Sequence, residues 1–289
     1  MDSQWSSAES SVPAGWVYSR KMRWLSFTGL AIAAFFALLW AWQTVAAAVE
    51  SRFGYLWFYL PAFVGLMLMC VPGIEVISAR MRTGVSRESI AFDSGETIVS
   101  GNRLSAWTLP SALFAGAVAC LAFSIGMFTH AYTFPMTAGQ ELYFPCIVGA
   151  MGLWFLVYVA LLTTGQLKYP RIVCTPEVVS VSRGSETQSV EWKRIENLEA
   201  ISLREYQRNS AIRISVGKGD RPTAVKHYRG PFASVLKSPP TITIKADQFD
   251  VGAVPLYWFL RYYLEHPEGR PELADGRAVD RLLSGALMA

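Results

Sequence analysis

Residues 168–192, KYPRIVCTPEVVSVSRGSETQSVEW, decide how this chain is read, because a strongly apolar polypeptide turns there into one patterned for β-structure. Taken in twos, Val179 and Val181 alternate with Ser180 and Ser182, Arg183-Gly184-Ser185 supplies a polar turn, and Val190 and Trp192 lie on a returning strand. Such alternation sends one set of side chains to a buried face and the other to water, and Gly in a short polar run reverses the chain, so the pattern predicts a β-hairpin.

Upstream of Lys168 the chain is dominated by apolar runs. Four membrane spans are expected over 24–49, 55–77, 107–132 and 145–165, within a transmembrane region covering 20–167. The first is free of charge for about 26 residues, roughly 39 Å of helix, enough to cross a hydrocarbon core of about 30 Å with some tilt. It is longer than a signal-peptide core, so a retained span is expected. Cleavage near Ala46–Ala48 is the alternative reading. The preceding residues 1–19 are Ser-rich, lack apolar periodicity and read as a mobile tail. Tyr55, Trp57 and Tyr59 suit a headgroup interface, and Pro72-Gly73 is expected to kink or end the second span. Small residues recur every fourth position on span one (Gly29, Ala33, Ala37, Ala41) and span three (Ala112, Gly116, Cys120, Ser124), two faces on which another helix can approach closely.

Between spans two and three, residues 80–103 carry a short echo of the later hairpin. Ile90 and Phe92 flank Ala91, Asp93-Ser94-Gly95 makes the turn, and Ile98-Val99 returns. The run from Arg82 aligns with the run from Arg171 once a residue is inserted after Gly184, pairing Glu88 with Glu177, Gly95 with Gly184, Glu96 with Glu186 and Thr97 with Thr187. Shared turn chemistry explains this by chance. The alternative is a duplicated unit of two helices and a β-segment, the first copy truncated and docked on the second.

The chain is 52% hydrophobic and only 17% charged, and its net charge of +4 is too small to indicate a nucleic-acid binder. Of its 26 basic residues, three precede span one, four lie in 80–103 and 18 lie from Lys168 onward, leaving only Arg52 for the other two loops. By the positive-inside rule the alternate segments are cytoplasmic, and both termini with them. The four cysteines, Cys70, Cys120, Cys146 and Cys174, have neither disulfide nor zinc spacing.

After Lys168, strands are expected over 171–175, 178–182, 188–192, 199–204, 211–216, 223–228 and 241–246, too close together for crossover helices. The expectation is therefore a small antiparallel barrel or sandwich. Residues 254–265 form an aromatic helix with Leu256, Phe259, Leu260 and Tyr263 on one face, a last helix is expected over 275–283, and HPEGRPEL between them reads as a link. A strand opening on Thr175-Pro176-Glu177, the Arg183-Gly184 hairpin, the return to Trp192 with Ile195 after it, and a closing amphipathic helix together resemble the PH-like domains that follow transmembrane helices in bacterial membrane proteins. That resemblance covers roughly 168–265. It implies a seven-stranded barrel capped by a helix, within a cytosolic domain over 168–289, in a bacterial plasma membrane protein. The connection from Arg229 to Pro240, with Pro231, Pro239 and Pro240, departs from a compact barrel loop.

Catalytic chemistry is not visible in the sequence. His130, His227 and His266 lie apart, no paired carboxylates or Gly-rich phosphate loop occur, and no acid or base sits in the middle of a span. No cofactor or metal is called for. The richest functional feature is the basic run Arg204, Arg208, Arg213, Lys218, Arg221, Lys226, Arg229 and Lys237. Beneath a bilayer such a run would attract anionic lipid headgroups by about 1 kcal/mol per basic residue. A plain basic surface on a membrane-proximal domain is the alternative. Two readings of function follow. One is a non-enzymatic scaffold or accessory subunit that binds a protein partner, membrane lipids or a second copy of itself. The other is a component of a transport or envelope-enzyme complex that needs a second chain and uses 133–144, with Gln140 and Glu141, as an entrance.

Overall fold

The computed structural model describes residues 13, 16, 20–79, 85–134, 137–203, 209–217, 220–227 and 241–287. They divide into two compact units. One holds the apolar helices, and the other gathers three stretches of chain, 1–23, 76–103 and 165–289.

The apolar unit is built from α1 (Arg20–Val49), α2 (Phe53–Ala79), α3 (Arg103–Phe128) and α4 (Ala138–Thr163). All four are long and apolar enough to cross a membrane, and α3 is by far the most enclosed. Three boundaries differ from expectation. Helix α2 runs through Pro72-Gly73 to Ala79. A proline removes one helical hydrogen bond, which long apolar helices absorb by local adjustment. Helix α3 stops at Phe128, because Ala131 and Tyr132 both donate their amides to the Gly126 carbonyl and His130 takes a φ of +54°. Helix α4 starts at Ala138, seven residues before Pro145, on a capping box in which the Thr137 amide donates to Gln140 Oε1 at 3.0 Å. Most of the presumed outer loop is therefore helix.

The second unit is β-rich. Its strands are β1 (Ile90–Asp93), β2 (Glu96–Ser100), β3 (Lys168–Cys174), β4 (Val178–Gly184), β5 (Glu186–Glu191), β6 (Ile195–Leu203), β7 (Asn209–Val216), β8 (Thr223–Lys226) and β9 (Ile242–Lys245). All pair antiparallel, in a six-stranded sheet ordered β1-β2-β3-β4-β5-β8 and a three-stranded sheet ordered β6-β7-β9. Every strand expected after Lys168 is present. Among the described residues, however, they form two sheets with no closed ring. The β1–β2 hairpin occupies the β3 edge, and β8 occupies the outer edge of β5, so neither edge is left for closure.

The hairpin from the loop between α2 and α3 is thus a full member of the sheet, with Ile98 opposite Val173 and Val99 opposite Ile172. Ser94 and Gly95 both have positive φ, the pattern of a two-residue type I′ turn, whereas at the β4–β5 turn only Gly184 does. The proposed repeat holds on the outgoing strands, where Ile90 and Val179 both enter the core. On the returning strands it falls out of phase. Val99 is inward, but its counterpart Ser189 faces away and bonds Ser180 at 2.8 Å, leaving Val190 inward. A one-residue slip exchanges the faces of a strand, so the alignment marks hairpin chemistry up to the turn and no further. Arg82 lies outside the described residues.

One hydrophobic core joins the sheets to α5 (Ala253–Glu265) and α6 (Arg277–Ser284). Leu256, Phe259, Leu260 and Tyr263 of α5 are fully enclosed, and Arg261 and Glu265 pair at 2.8 Å along the helix. Trp16 belongs to this core as well. Only 5% exposed, it donates its indole N–H to the Ala211 carbonyl at 3.1 Å and meets Tyr257 edge-on at 5.9 Å. At this residue the segment expected to be a mobile tail is docked. The link 267–274 is a 3₁₀ segment that buries Leu273, whose carbonyl accepts the Thr97 hydroxyl at 2.8 Å. It is held by Glu272, which takes both arms of the Arg281 guanidinium, at 2.6 and 2.7 Å, and the Tyr263 hydroxyl at 3.3 Å.

Two outcomes follow. A Cβ on Gly101 would lie 2.5 Å from the Pro170 carbonyl oxygen, a backbone atom no rotamer can move. Gly101→Ala should therefore cost about 1–3 kcal/mol in thermal unfolding of the purified chain, with Gly139→Ala, where a Cβ meets nothing within 4 Å, as the neutral comparator. The Arg281 fork holds the Glu272 carboxyl below the usual carboxylate value, so its contribution is present above that range and lost as pH falls through the depressed value. Glu272→Gln should destabilise by about 1.5–3 kcal/mol at neutral pH, the gap to the parent closing below pH ~4. A gap unchanged with pH would show that the charge is immaterial.

Candidate functional site

The basic run is only partly described. Arg204, Arg208, Lys218, Arg229 and Lys237 lie outside the described residues. Arg213 is exposed on β7 of the three-stranded sheet, 3.9 Å from Glu199. Arg221 is exposed next to Asp220, and Lys226 ends β8 of the other sheet, in register with Glu186. These three are not gathered on one strand or sheet, and each has an acid nearby, an arrangement of small energetic weight at a solvated surface.

The small-residue stripes are unlike one another. On α1, Gly29 has no atom within 4 Å of a Cβ position, Ala33 and Ala41 are half-buried and Ala37 is enclosed. On α3 all four positions meet neighbouring helices. A Cβ on Gly65 of α2 would sit 3.2 Å from the Ala112 carbonyl and 3.3 Å from the Gly116 amide. Phe155 of α4 lies against Gly116, and Cβ atoms on Gly152 and Gly149 would come within 2.9 Å of Cys120 Cβ and 2.7 Å of Ser124 Oγ. These contacts are packing, the close helix approach that small residues permit.

The end of the helices that carries the α1–α2 and α3–α4 connections is likewise occupied by packing. Tyr132 donates its hydroxyl to the Gly54 carbonyl at 2.9 Å, and its ring lies where a Gly126 side chain would be. The Thr133 amide donates to the Tyr55 hydroxyl at 3.1 Å, and Phe58, Phe123 and Phe134 complete an aromatic cluster. Gln140 serves the α4 cap, and Glu141 is exposed in its first turn.

One concavity has the makings of a site, and the sequence reading passed over it. Where the two sheets part beside the β4–β5 turn, Val181, Arg183, Glu186, Gln188, Ile242 and Thr243 line a cleft of about 210 Å³. Its floor is the core itself, since Val181 and Ile242 are buried. Arg183 and Glu186 are cross-strand partners at the end of the hairpin. Gln188 donates its amide to Glu186 Oε1 at 2.6 Å. Burial pulls the Arg183 guanidinium below its ordinary pKa, an effect opposed by the charge of Asp247. Arg183 has no hydrogen bond or ion pair with another described residue. Its signal was nevertheless in the sequence: Arg183 shares the parity of Val179 and Val181, which puts an arginine on the inward face of its strand.

The buried polar face of the first sheet is satisfied internally. Ser182 bonds Thr187 at 2.8 Å, and Thr187 bonds His227 Nε2 at 2.9 Å, fastening the end of β8 to the β4–β5 hairpin. His266 stacks on Tyr262 with ring centroids 4.5 Å apart. Among the described residues no cluster of His, Cys, Asp and Glu could hold a metal ion. Comparison with known proteins matches this chain to no family model, no curated protein and no solved structure.

Proposed function

We propose that this chain is a multi-pass protein of a bacterial plasma membrane. Its non-spanning segments build a single cytoplasmic binding module, of the PH-like type, that acts as a scaffold or accessory subunit rather than an enzyme. One observation carries the reading: Trp16, the 90–100 hairpin and the chain from Lys168 share one core although apolar helices separate them in sequence. A folded body cannot straddle a bilayer, so co-folding favours one side for all three. The 25 basic residues of 20–23, 80–103 and the chain from Lys168 onward, against Arg52 alone elsewhere, favour the cytoplasm. Proteins or anionic headgroups are the ligands that reading implies, with Arg213 and Arg221 as exposed members of the basic run among the described residues. The competing reading, a substrate entrance at 133–144, has lost its polar loop to the first turns of α4.

Sidedness tests the proposal. The native cysteines give a low background, lying in apolar helices or, for Cys174, in the core. Arg87→Cys, Asp220→Cys and Glu268→Cys should all react with a membrane-impermeant maleimide in inside-out vesicles and not in right-side-out ones. Arg52→Cys should do the reverse. A split among the first three would end the single-module reading.

A further inference from the structure

The cleft beside the β4–β5 turn holds more hydrogen-bond donors than the protein uses. Arg183 shares the inward parity of Val179 and Val181 and is half-buried, with no hydrogen bond or ion pair to a described residue. A guanidinium carries five N–H donors and cannot discard its proton, so burying one without partners leaves all five to be met from outside. The Thr243 hydroxyl, from the opposite sheet, also lines the cleft without a hydrogen bond to a described residue. Gln188 is only 8% exposed and spends one N–H on Glu186 Oε1 at 2.6 Å, which leaves its second N–H and its carbonyl. The unspent groups are mostly donors, and the ligand that matches them is rich in acceptors.

The planar fork of an arginine fits the two oxygens of a carboxylate, the strongest pairing open to it. Glu186 is the one acid in the lining. It is already engaged, by the Gln188 amide among others, and offers the ligand no contact in this account. Its charge lies across the hairpin from Arg183 and opposes a second negative charge in the same space. Asp247, which acts on Arg183 through its charge, has a partner of its own and does not line the cleft. A single negative charge is therefore favoured over two. The floor adds a second requirement, since Val181 and Ile242 are buried aliphatic side chains that reward an apolar body over a polar one. A volume of about 210 Å³ corresponds to about seven water volumes at about 30 Å³ each, the scale of an acid of a few carbon atoms.

We propose that this cleft binds a small aliphatic monocarboxylate, its carboxylate on the Arg183 guanidinium and its apolar body on Val181 and Ile242. The Thr243 hydroxyl and the second Gln188 N–H supply the remaining donors. The inference rests on the reading of the module as a binding domain and names its class of ligand.

The test is isothermal titration of the full chain in neutral detergent with butyrate, butyramide, succinate and glycerophosphoglycerol as separate probes. Butyrate should bind saturably and at least tenfold tighter than butyramide, which lacks the charge, and than succinate, which carries two. Arg183→Gln should weaken butyrate at least tenfold while leaving the unfolding midpoint unchanged or higher, because a half-buried cation without a protein partner contributes nothing to folding. If Arg183→Gln does not fold, Arg183→Lys and Thr243→Val provide the same test, each weakening butyrate at an unchanged midpoint. Butyrate that fails to saturate, binds no tighter than butyramide or is indifferent to these substitutions overturns the proposal. Tighter binding of glycerophosphoglycerol than of butyrate also overturns it, by assigning the cleft to a phosphodiester headgroup. The vesicle labelling is independent of the outcome, so loss of the ligand assignment and loss of the single-module reading are separately visible.

Discussion

The β2–β3 ladder is the constraint on which the second unit depends. Thr97 to Ser100 pair with Cys174 back to Arg171, joining a loop between two apolar helices to a domain that begins about 70 residues later. The ladder extends beyond its strands, with the Gly101 amide donating to the Pro170 carbonyl at 2.8 Å and the Asn102 amide to the Gln248 carbonyl at 3.0 Å. The Arg103 amide, at the start of α3, donates to Asp250 Oδ2 at 3.3 Å. An acid at that position complements a helix N-terminus. Without the hairpin, β3 would be an edge with unpaired backbone groups, a liability for any sheet. With it, Ile90 and Val99 add two enclosed aliphatic side chains to the core, each contributing about 1.5–3 kcal/mol.

The same constraint explains why the architecture is two sheets and why the cleft exists. A hairpin on β3 and a strand on β5 lengthen one sheet in both directions, so the shorter sheet faces only part of it. Where β9 and the β4–β5 hairpin diverge, the core reaches the surface between Val181 and Ile242, and polar side chains of inward parity take the place of aliphatic ones. The C-terminal segment closes the other side, with Leu273 and the Glu272–Arg281 pair lying against the hairpin and α5. Trp16 seals the seam between β7 and α5. Three separate parts of the chain therefore share the cost of ordering one body.

Much of this was legible wherever burial followed a period. The strands after Lys168 and the enclosed face of α5 were visible because alternation by two, or recurrence at three and four, reports which side chains leave water. The features that escaped notice have no such period. Trp16 is a single aromatic in a Ser-rich segment, and Leu273 a single aliphatic in HPEGRPEL, so each docks without a pattern to announce it. Pro72-Gly73 read as a break because helix propensities are learned in water, whereas an apolar helix retains its backbone bonds where no water competes. Barrel closure could not be read from strand count, since pairing is non-local and the decisive partner came from the loop before α3. Arg183 belongs to the polar turn by composition, although its parity with Val179 and Val181 marks it as inward. The basic run looked like a single feature in sequence, but Arg213 and Lys226 belong to different sheets.

The central claim is that the 90–100 hairpin is part of the folded module. Hydrogen–deuterium exchange on the intact chain in a membrane mimetic tests it most directly. The account predicts that the amides of Thr97 to Ser100 exchange as slowly as their partners Arg171 to Cys174, and that Gly101→Ala accelerates both together. Fast exchange throughout 90–100 while β3, β4 and β5 remain protected would contradict it.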